Sequence, residues 1–413
     1  SDQQIEATNI PVAGGLQDAI DFANAQRWPE LENSIFSGAA AGVRRVLSDE
    51  LINTVPSQRR GFGILHEMAY WGAAETYHSL TTKGVCFDTG LRTKPPDHPG
   101  RRTPREVAQA RKHGIFAKAM VTPLEAWMWQ GEDSARQRRY VTLDTCGILC
   151  IFENDKAPIP EHRRWREDCE IEVVRHARTT APNEIHVAWE QYTMSPDAAA
   201  ADAGVNLCLS PCDNNPEETE KWAAELLIDR LGLGLDDTKA EERIRGLPGW
   251  VPKDGCEKCA HCGTPFDIGT WRHHCRVCLD VFCDDCTSTR RHLPLHYQYE
   301  TKQRHCKPCI ELQEQLDKLL SHLSTGRRLS DCGSPDTAAQ AFRAGLLEIV
   351  DSQWTGSRSR EQYEMSIVEV RGCLQAALDG IQAQLMVSSD QQIEATNIPV
   401  AGGLQDAIDF ANA

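Results

Sequence analysis

The chain has 413 residues, of which 40% are hydrophobic and 25% charged, and its formal net charge is −16. That length holds about two to four domains of ordinary globular composition. The acidic balance excludes bulk nucleic-acid binding, which shows as a basic surface, and makes any attraction to anionic lipid local. No window approaches about 18 uninterrupted apolar residues, so no membrane span is expected. The polar, acidic start S-D-Q-Q-I-E reads as no secretory signal.

Residues 1–25 recur unchanged at 389–413, an offset of 388 (389 − 1). Met386-Val-Ser, which looks like a translation start, precedes the second copy. Old duplications diverge, so identity over this length reads as a recent tandem array or an artefact of chain assembly. A tail that mimics the head and competes for its packing site is the less favoured reading.

Residues 14–120 read as helical and repetitive. Leu31 to Val46 aligns without gaps on Leu65 to Leu80, a period of 34 (65 − 31), and a third unit begins at Thr103-Pro104 and continues to Gly114. Leu65-His66 and Thr103-Pro104 match parts of a T-P-L-H turn, and the segment resembles ankyrin repeats. Arg105 stands where leucine is usual, and the loop around Pro95–Pro99 is longer than the family's. The alternative is a non-repetitive helical bundle. Such stacks bind protein partners and carry no chemistry.

Residues 122–233 change period. Leu124–Trp129, Gln137–Leu143, Gly147–Phe152, Cys169–Val174, Glu184–Trp189 and Val205–Leu209 are short strand-prone runs with turn residues between them. Asn215 then suits a helix N-cap, Pro216 the first helical position, and Gly232 the end. Strands followed by one helix carrying Trp222 resemble a pleckstrin-homology domain, which implies a bent barrel plugged by that helix. The family's lipid cluster maps in part to Arg136, Arg138 and Arg139. The first strand lacks the family's Lys, and Glu132 and Asp133 sit in the loop, so a structural or protein-binding barrel is the favoured reading.

Residues 248–312 hold four Cys-x-x-Cys pairs: Cys259/Cys262, Cys275/Cys278, Cys283/Cys286 and Cys306/Cys309. Eight thiols at this spacing make two tetrahedral zinc sites. Eight of the seventeen cysteines cluster here and the rest are scattered without a framework, which reads as zinc in a reducing, cytosolic compartment rather than a disulfide scaffold. Cys256, three residues before Cys259, leaves a Cys256/Cys259 pairing open as a rival register, although the spacing from Phe266 to Cys275 favours the first. Four-thiolate coordination leaves no open position on the metal, so both ions are structural.

With its W-R-H-H-C-R core and late R-H-C, this stretch resembles the FYVE zinc finger, which binds phosphatidylinositol 3-phosphate on endosomal membranes. The resemblance implies alternating ligand pairs. Cys259, Cys262, Cys283 and Cys286 would hold one zinc, and Cys275, Cys278, Cys306 and Cys309 the other. It places the headgroup against Arg272, His273, His274, Arg276 and Arg304. Arginine forks suit phosphate oxygens, and the histidines imply tighter binding below pH ~6.5. In an extended segment Arg272 and His274 would share one face and His273 the other. Two positions depart from the family. Trp271 replaces its first basic residue. Lys253 stands where W-x-x-D puts an acid, leaving Asp254 to reach ring hydroxyls or Lys253 to substitute a charge. Ile268 lies on the loop the family inserts into the bilayer, beside Trp271, which suits a membrane interface. An array or dimer would add avidity through self-association.

Residues 313–388 read as a helical tail. Leu312, Leu316, Leu319 and Leu323 form one stripe, Asp331–Pro335 breaks it, and Ala341–Val350 and Ile367–Leu385 follow as helices that pack on the preceding modules. The expected whole is a multidomain α+β chain: ankyrin-like stack, pleckstrin-homology-like barrel with a C-terminal helix, two-zinc cross-brace module and helical tail. No nucleophile–base pair, P-loop or dinucleotide fingerprint appears, so it reads as no enzyme. It reads as a cytoplasmic adaptor, peripheral on endosomal membranes, that recruits protein partners to phosphatidylinositol 3-phosphate. The alternatives are a cytosolic or cytoskeletal scaffold whose zinc module binds no lipid, and a ubiquitin-ligase type finger.

Overall fold

The computed structural model describes residues 15–37, 44–55, 61–94, 101–131, 136–145, 147–166, 169–174, 184–189, 205–212, 215–228, 230–348 and 358–396. Gly38, the loop around Pro95–Pro99, Glu132, Asp133 and most of both 25-residue copies lie outside these. The N-terminal part is a stack of short helices: α1 (Leu16–Asn24) and α2 (Trp28–Ile35), a two-residue ladder β1 (Phe36–Ser37) and β2 (Arg44–Arg45), α3 (Asp49–Ile52), then α4 (Ile64–Trp71) with α5 (Ala74–Thr82), and α6 (Pro104–Ala110) with α7 (Gly114–Ala119). One apolar core, including Leu31, Ile35, Leu65, Met68, Leu80 and Phe116, runs through them.

The repeat register differs from the expected period of 34. Leu31 lies in the second helix of its pair, whereas Leu65 lies in the first helix of its own. The short turn chemistry does appear. Thr103 and Glu106 form a capping box with Pro104 in the first turn of α6. At the start of α4, His66 Nδ1 accepts from Gly63 N at 3.4 Å while Nε2 meets Arg102 O at 3.2 Å. Arg105 departs from leucine because it reaches out of the stack to the carboxylate of Glu225.

The middle part is a seven-stranded antiparallel sheet of β3 (Leu124–Gln130), β4 (Gln137–Leu143), β5 (Ile148–Phe152), β6 (His162–Trp165), β7 (Glu170–Val174), β8 (Glu184–Trp189) and β9 (Val205–Pro211), in the order β6-β5-β4-β3-β9-β8-β7. β6, with the sequence H-R-R-W, lacks the apolar alternation that marks several of the other strands. β6 and β7 form the two edges and do not pair among the described residues, so the bent barrel that was expected is a sheet with an open seam between them. The following helix α8 (Pro216–Leu226) starts as its sequence dictates, with Asn215 Oδ1 accepting from Glu217 N. It stops at Leu226, before Gly232. Trp222 on α8 is fully buried against Leu149, Ile151, Ile185, Val187 and Leu209.

Strand β5 shows why the tail belongs to the same body. All five of its residues are buried. Leu149 and Ile151 point at Trp222, while Ile148, Cys150 and Phe152 point the other way, onto helix α10 (Lys307–Asp331). There they meet Leu312, Leu316, Leu319 and Leu323, the predicted stripe. The break at Asp331–Pro335 falls as expected, and α11 (Pro335–Leu347) and α12 (Arg358–Thr396) complete a three-helix tail. Helix α10 begins inside the cysteine-rich segment, so the boundary expected between residues 312 and 313 falls within one helix.

Polar ties join the parts. Arg105 grips Glu225 of α8 with two bonds of 2.6 and 2.9 Å, and Thr122 N adds a third donor. Arg166 donates to the carbonyls of Lys118 and Glu225. Arg327 of α10 pairs with Asp49 at 3.1 Å and donates to Gly84 O. Arg230 donates to Tyr299 O and Leu293 O.

Candidate functional site

Helix α9 (Asp237–Arg245), capped by Asp236, leads into the cysteine-rich segment. Two small ladders build that segment: β10 (His273–His274) against β11 (Val281–Phe282), and β12 (Arg290–Arg291) against β13 (Gln303–Arg304). The first two knuckles repeat one geometry. Gly263 N bonds to Cys259 O at 3.1 Å, and Leu279 N to Cys275 O at 3.0 Å. The residue after each second cysteine is left-handed, with φ of 72° at Gly263 and 65° at Leu279. Leucine is strained there, and its side chain is held in the module's core.

The eight thiols gather as the alternating register requires. Sulfurs of Cys259, Cys262, Cys283 and Cys286 lie within 4.8 Å of one another, and those of Cys275, Cys278, Cys306 and Cys309 do the same. Cys262 and Cys283 sulfurs are 3.7 Å apart, as are those of Cys278 and Cys306. A tetrahedron with Zn–S bonds of about 2.3 Å has edges of about 3.8 Å, so both clusters fit zinc. Cys256 is in neither cluster; its thiol donates to Pro252 O at 3.4 Å, which settles the rival register. Cys306 caps α10 and Cys309 sits in its first turn, so the second metal site includes the start of the tail helix.

Around the metals, the basic residues separate into two groups. Arg276, Arg304, His273 and Lys253 lie close enough to act on one another electrostatically. Arg276 Nε donates to Glu241 of α9 at 2.7 Å and Nη1 to His274 O at 2.9 Å. Arg304 Nη1 bonds Asp284 Oδ1 at 2.6 Å and Thr287 O at 3.0 Å. Partial burial first, then the charge of Arg276, hold the Lys253 ammonium below its ordinary value. Arg272 turns elsewhere, with Nε donating to Cys256 O at 3.1 Å and its guanidinium over Phe266. Asp254 is exposed.

The two histidines differ. His274 is buried, stacked on Trp250 at 3.8 Å, with Nε2 2.7 Å from Val251 O. His273 faces Asp284 at 3.4 Å. Burial lowers both rings below the usual imidazole value, with Arg304 adding to the effect at His273. Protonation expected near pH ~6.5 therefore moves to more acidic pH.

At the edge of the module, Asp267 Oδ1 accepts from Gly269 N and Thr270 N at 2.8 and 2.9 Å. This tight turn presents Ile268, whose exposure is 101%, and Trp271 follows at 74%. Glu241 and Asp284 are carboxylates within the basic rim to which the sequence pattern gave no role. Glu241 precedes the cysteine-rich stretch, and only the packing of α9 brings it in. On the sheet, the other predicted cluster is largely matched. Arg136 pairs with Glu184 and Arg139 with Glu161, both at 3.0 Å, and Arg138 lies over Trp127. No described helix is long and apolar enough to cross a membrane.

Comparison with known proteins agrees with this geometry. Residues 249–315 match the model of the FYVE zinc finger family. The chain is 41% identical over 66 residues to "Probable inactive serine/threonine-protein kinase slob1" of Dictyostelium discoideum, covering 16% of this chain and 11% of that protein. It is 42% identical over 81 residues to Lateral signaling target protein 2 of Caenorhabditis elegans, covering 20% and 12%. It is 33% identical over 147 residues to Protein FREE1 of Arabidopsis thaliana, covering 35% and 23%. The matches therefore span less than a quarter of these relatives' own length. Residues 249–315 are a FYVE zinc finger domain with two four-cysteine clusters that suit two structural zinc ions.

Proposed function

We propose that the chain is a non-enzymatic peripheral membrane adaptor. Its FYVE domain binds phosphatidylinositol 3-phosphate on endosomal membranes, and its helical stack, of ankyrin-like kind, and open sheet, of pleckstrin-homology-like kind, hold protein partners. The observation that carries this reading is the turn at Asp267, which exposes Ile268 and Trp271 together at the edge of a module bearing Arg272, Arg276 and Arg304. Exposed large apolar side chains beside cations suit insertion at an anionic interface. His273 borders the cationic group, His274 braces Trp250, and Asp254 is free of the core to meet ring hydroxyls.

A second reading, a scaffold without lipid binding, is favoured by the carboxylates of Glu241 and Asp284 on Arg276 and Arg304. Sedimentation with vesicles of single phosphoinositides separates the two. Binding to vesicles with phosphatidylinositol 3-phosphate, lost in the Arg272→Ala, Arg276→Ala double variant, supports the adaptor. No binding by the wild type supports the scaffold, and unchanged binding by the variant overturns the assignment of the headgroup to Arg272 and Arg276.

A further inference from the structure

A separate group of metal-binding side chains lies on the sheet, away from the cysteine-rich module. Glu184 and His186 are two residues apart on β8, so they share a face. Cys208 on β9 is the register partner of His186, and directly opposed residues of antiparallel strands hold their side chains together. Their neighbours Ile185, Val187, Leu207 and Leu209 fill the core around Trp222, which puts the three on the opposite face. All three are half-buried. A carboxylate oxygen of Glu184, a ring nitrogen of His186 and the sulfur of Cys208 lie within 4.8 Å of one another. Glu184 Oε2 is 3.4 Å from His186 Nε2. Its other oxygen, Oε1, accepts from Arg136 Nη2 at 3.0 Å. That is the outer hydrogen bond that orients a ligating carboxylate while leaving one oxygen for a metal. On the other side of His186, Glu172 of β7 is its partner in register, which puts a second carboxylate in the same row.

We propose that Glu184, His186 and Cys208 form a third zinc site, independent of the two four-cysteine clusters. The donor set selects the metal. Calcium and magnesium take oxygen ligands, whereas a thiolate, an imidazole and a carboxylate together suit zinc. Three protein ligands leave one corner of the tetrahedron to water or to Glu172. The ion would bridge β8 and β9 in the half of the sheet whose outer face receives no described residue of the tail's core. With one thiolate in place of four, it binds more weakly than the four-cysteine sites and releases its metal first.

The test uses the full chain loaded with zinc chloride. Metal is counted by mass spectrometry after gel filtration, and zinc is titrated against a chromophoric chelator. The expected result is two tight equivalents and one weaker one. Cys208→Ser and His186→Gln each remove the weak equivalent and keep the tight pair. Glu184→Gln, which keeps an acceptor for Arg136, weakens the third equivalent at least tenfold. Cobalt chloride added to protein with its tight sites filled by zinc gives a thiolate-to-cobalt absorption band that Cys208→Ser lacks, so the site is also read without relying on zinc counts. A zinc-saturated wild type holding only two ions with no cobalt band overturns the proposal. So does a third equivalent or a cobalt band that survives Cys208→Ser and His186→Gln.

Discussion

Glu241 on α9 accepts hydrogen bonds from Arg276 Nε at 2.7 Å and from the Tyr299 hydroxyl at 2.8 Å. A carboxylate thus takes the Nε–H donor of an arginine that the FYVE resemblance assigns to phosphate. If lipid phosphate and Glu241 compete, Glu241→Gln tightens binding of the full chain to vesicles bearing phosphatidylinositol 3-phosphate. The gain is about five- to tenfold, the equivalent of ~1–1.4 kcal/mol for one partly exposed charge-assisted bond. Flotation across a lipid titration measures it. Weaker binding would instead make Glu241 a group that positions Arg276.

Removing the structural zinc has a reach beyond the module. Cys306 and Cys309 lie at the start of α10, which is packed on β5. Metal binding to small zinc modules is worth an apparent ~10–16 kcal/mol of folding. A strong chelator therefore unfolds the cysteine-rich segment before α10 and frays the first turn of that helix, while the sheet keeps its strands. Cys309→Ser halves the tightly held zinc from two ions to one, read by mass spectrometry of the purified chain. Full retention of both tight ions would contradict the alternating ligand sets.

Arg105 and Glu225 join the helical stack to α8. Burial pushes the Glu225 carboxyl up, but the hydrogen bond and charge of Arg105, the Thr122 amide and Arg166 outweigh it and hold the group below its ordinary value. Replacing the arginine by the leucine usual in ankyrin repeats leaves that carboxylate largely desolvated and short of two donors. Arg105→Leu is expected to cost about 2–3 kcal/mol in chemical denaturation at pH 7. Because the folded group is the stronger acid, its contribution is present above the unfolded value near pH ~4.3 and fades as pH falls through the folded one. The wild type and variant should converge at low pH.

Gly326 of α10 faces Phe342 of α11, and a Cβ added there would meet ring carbons at 2.2 to 2.6 Å. Elsewhere in a helix, glycine to alanine stabilises by roughly 0.5–1 kcal/mol. Here the ring must move, so Gly326→Ala is expected to destabilise by about 1–3 kcal/mol. Thermal unfolding decides the sign, and Gly326→Ala with Phe342→Leu should recover part of the loss.

His322, buried in the tail core, has Nε2 3.2 Å from Glu348 Oε1. Its Nδ1 has no hydrogen-bond partner among the described residues. Burial lowers the ring below its ordinary value despite the raising effect of Glu348. The folded chain therefore binds fewer protons at His322 than the unfolded chain. The associated stability is full above pH ~6.5 and declines as pH falls through the lowered value. His322→Leu should flatten that slope between pH 7 and 5, as followed by helix content during denaturation.

The parts of the sequence that were easiest to read were those where chemistry is local. Cysteine spacing gave the eight ligands, because a Cys-x-x-Cys knuckle needs only four residues, and the FYVE resemblance supplied their alternating pairing. Asn215-Pro216 gave the start of α8, and the leucine stripe gave the buried face of α10. What escaped depended on distant partners. β6 is basic because Arg163 and Arg164 reach Glu348 and Glu314 of the tail region, so it lacks the alternation of a half-solvated strand. The period of 34 aligned a second helix on a first one, since short amphipathic helices share residue spacing whichever row they occupy. Glu241 entered the basic rim from a helix that no zinc motif contains.

Helix α10 has 25 residues, about 37 Å of rod at 1.5 Å per residue. One end is a corner of the metal cage; the rest lies against the sheet and the other tail helices. A membrane gripped at Ile268 would thus be connected to the sheet through a stiff strut, not a tether. The strut would fix both the standoff and the tilt of the sheet over the lipid. Excising the finger at residue 312 would cut that strut one turn from its anchor and leave two fragments whose relative orientation is lost.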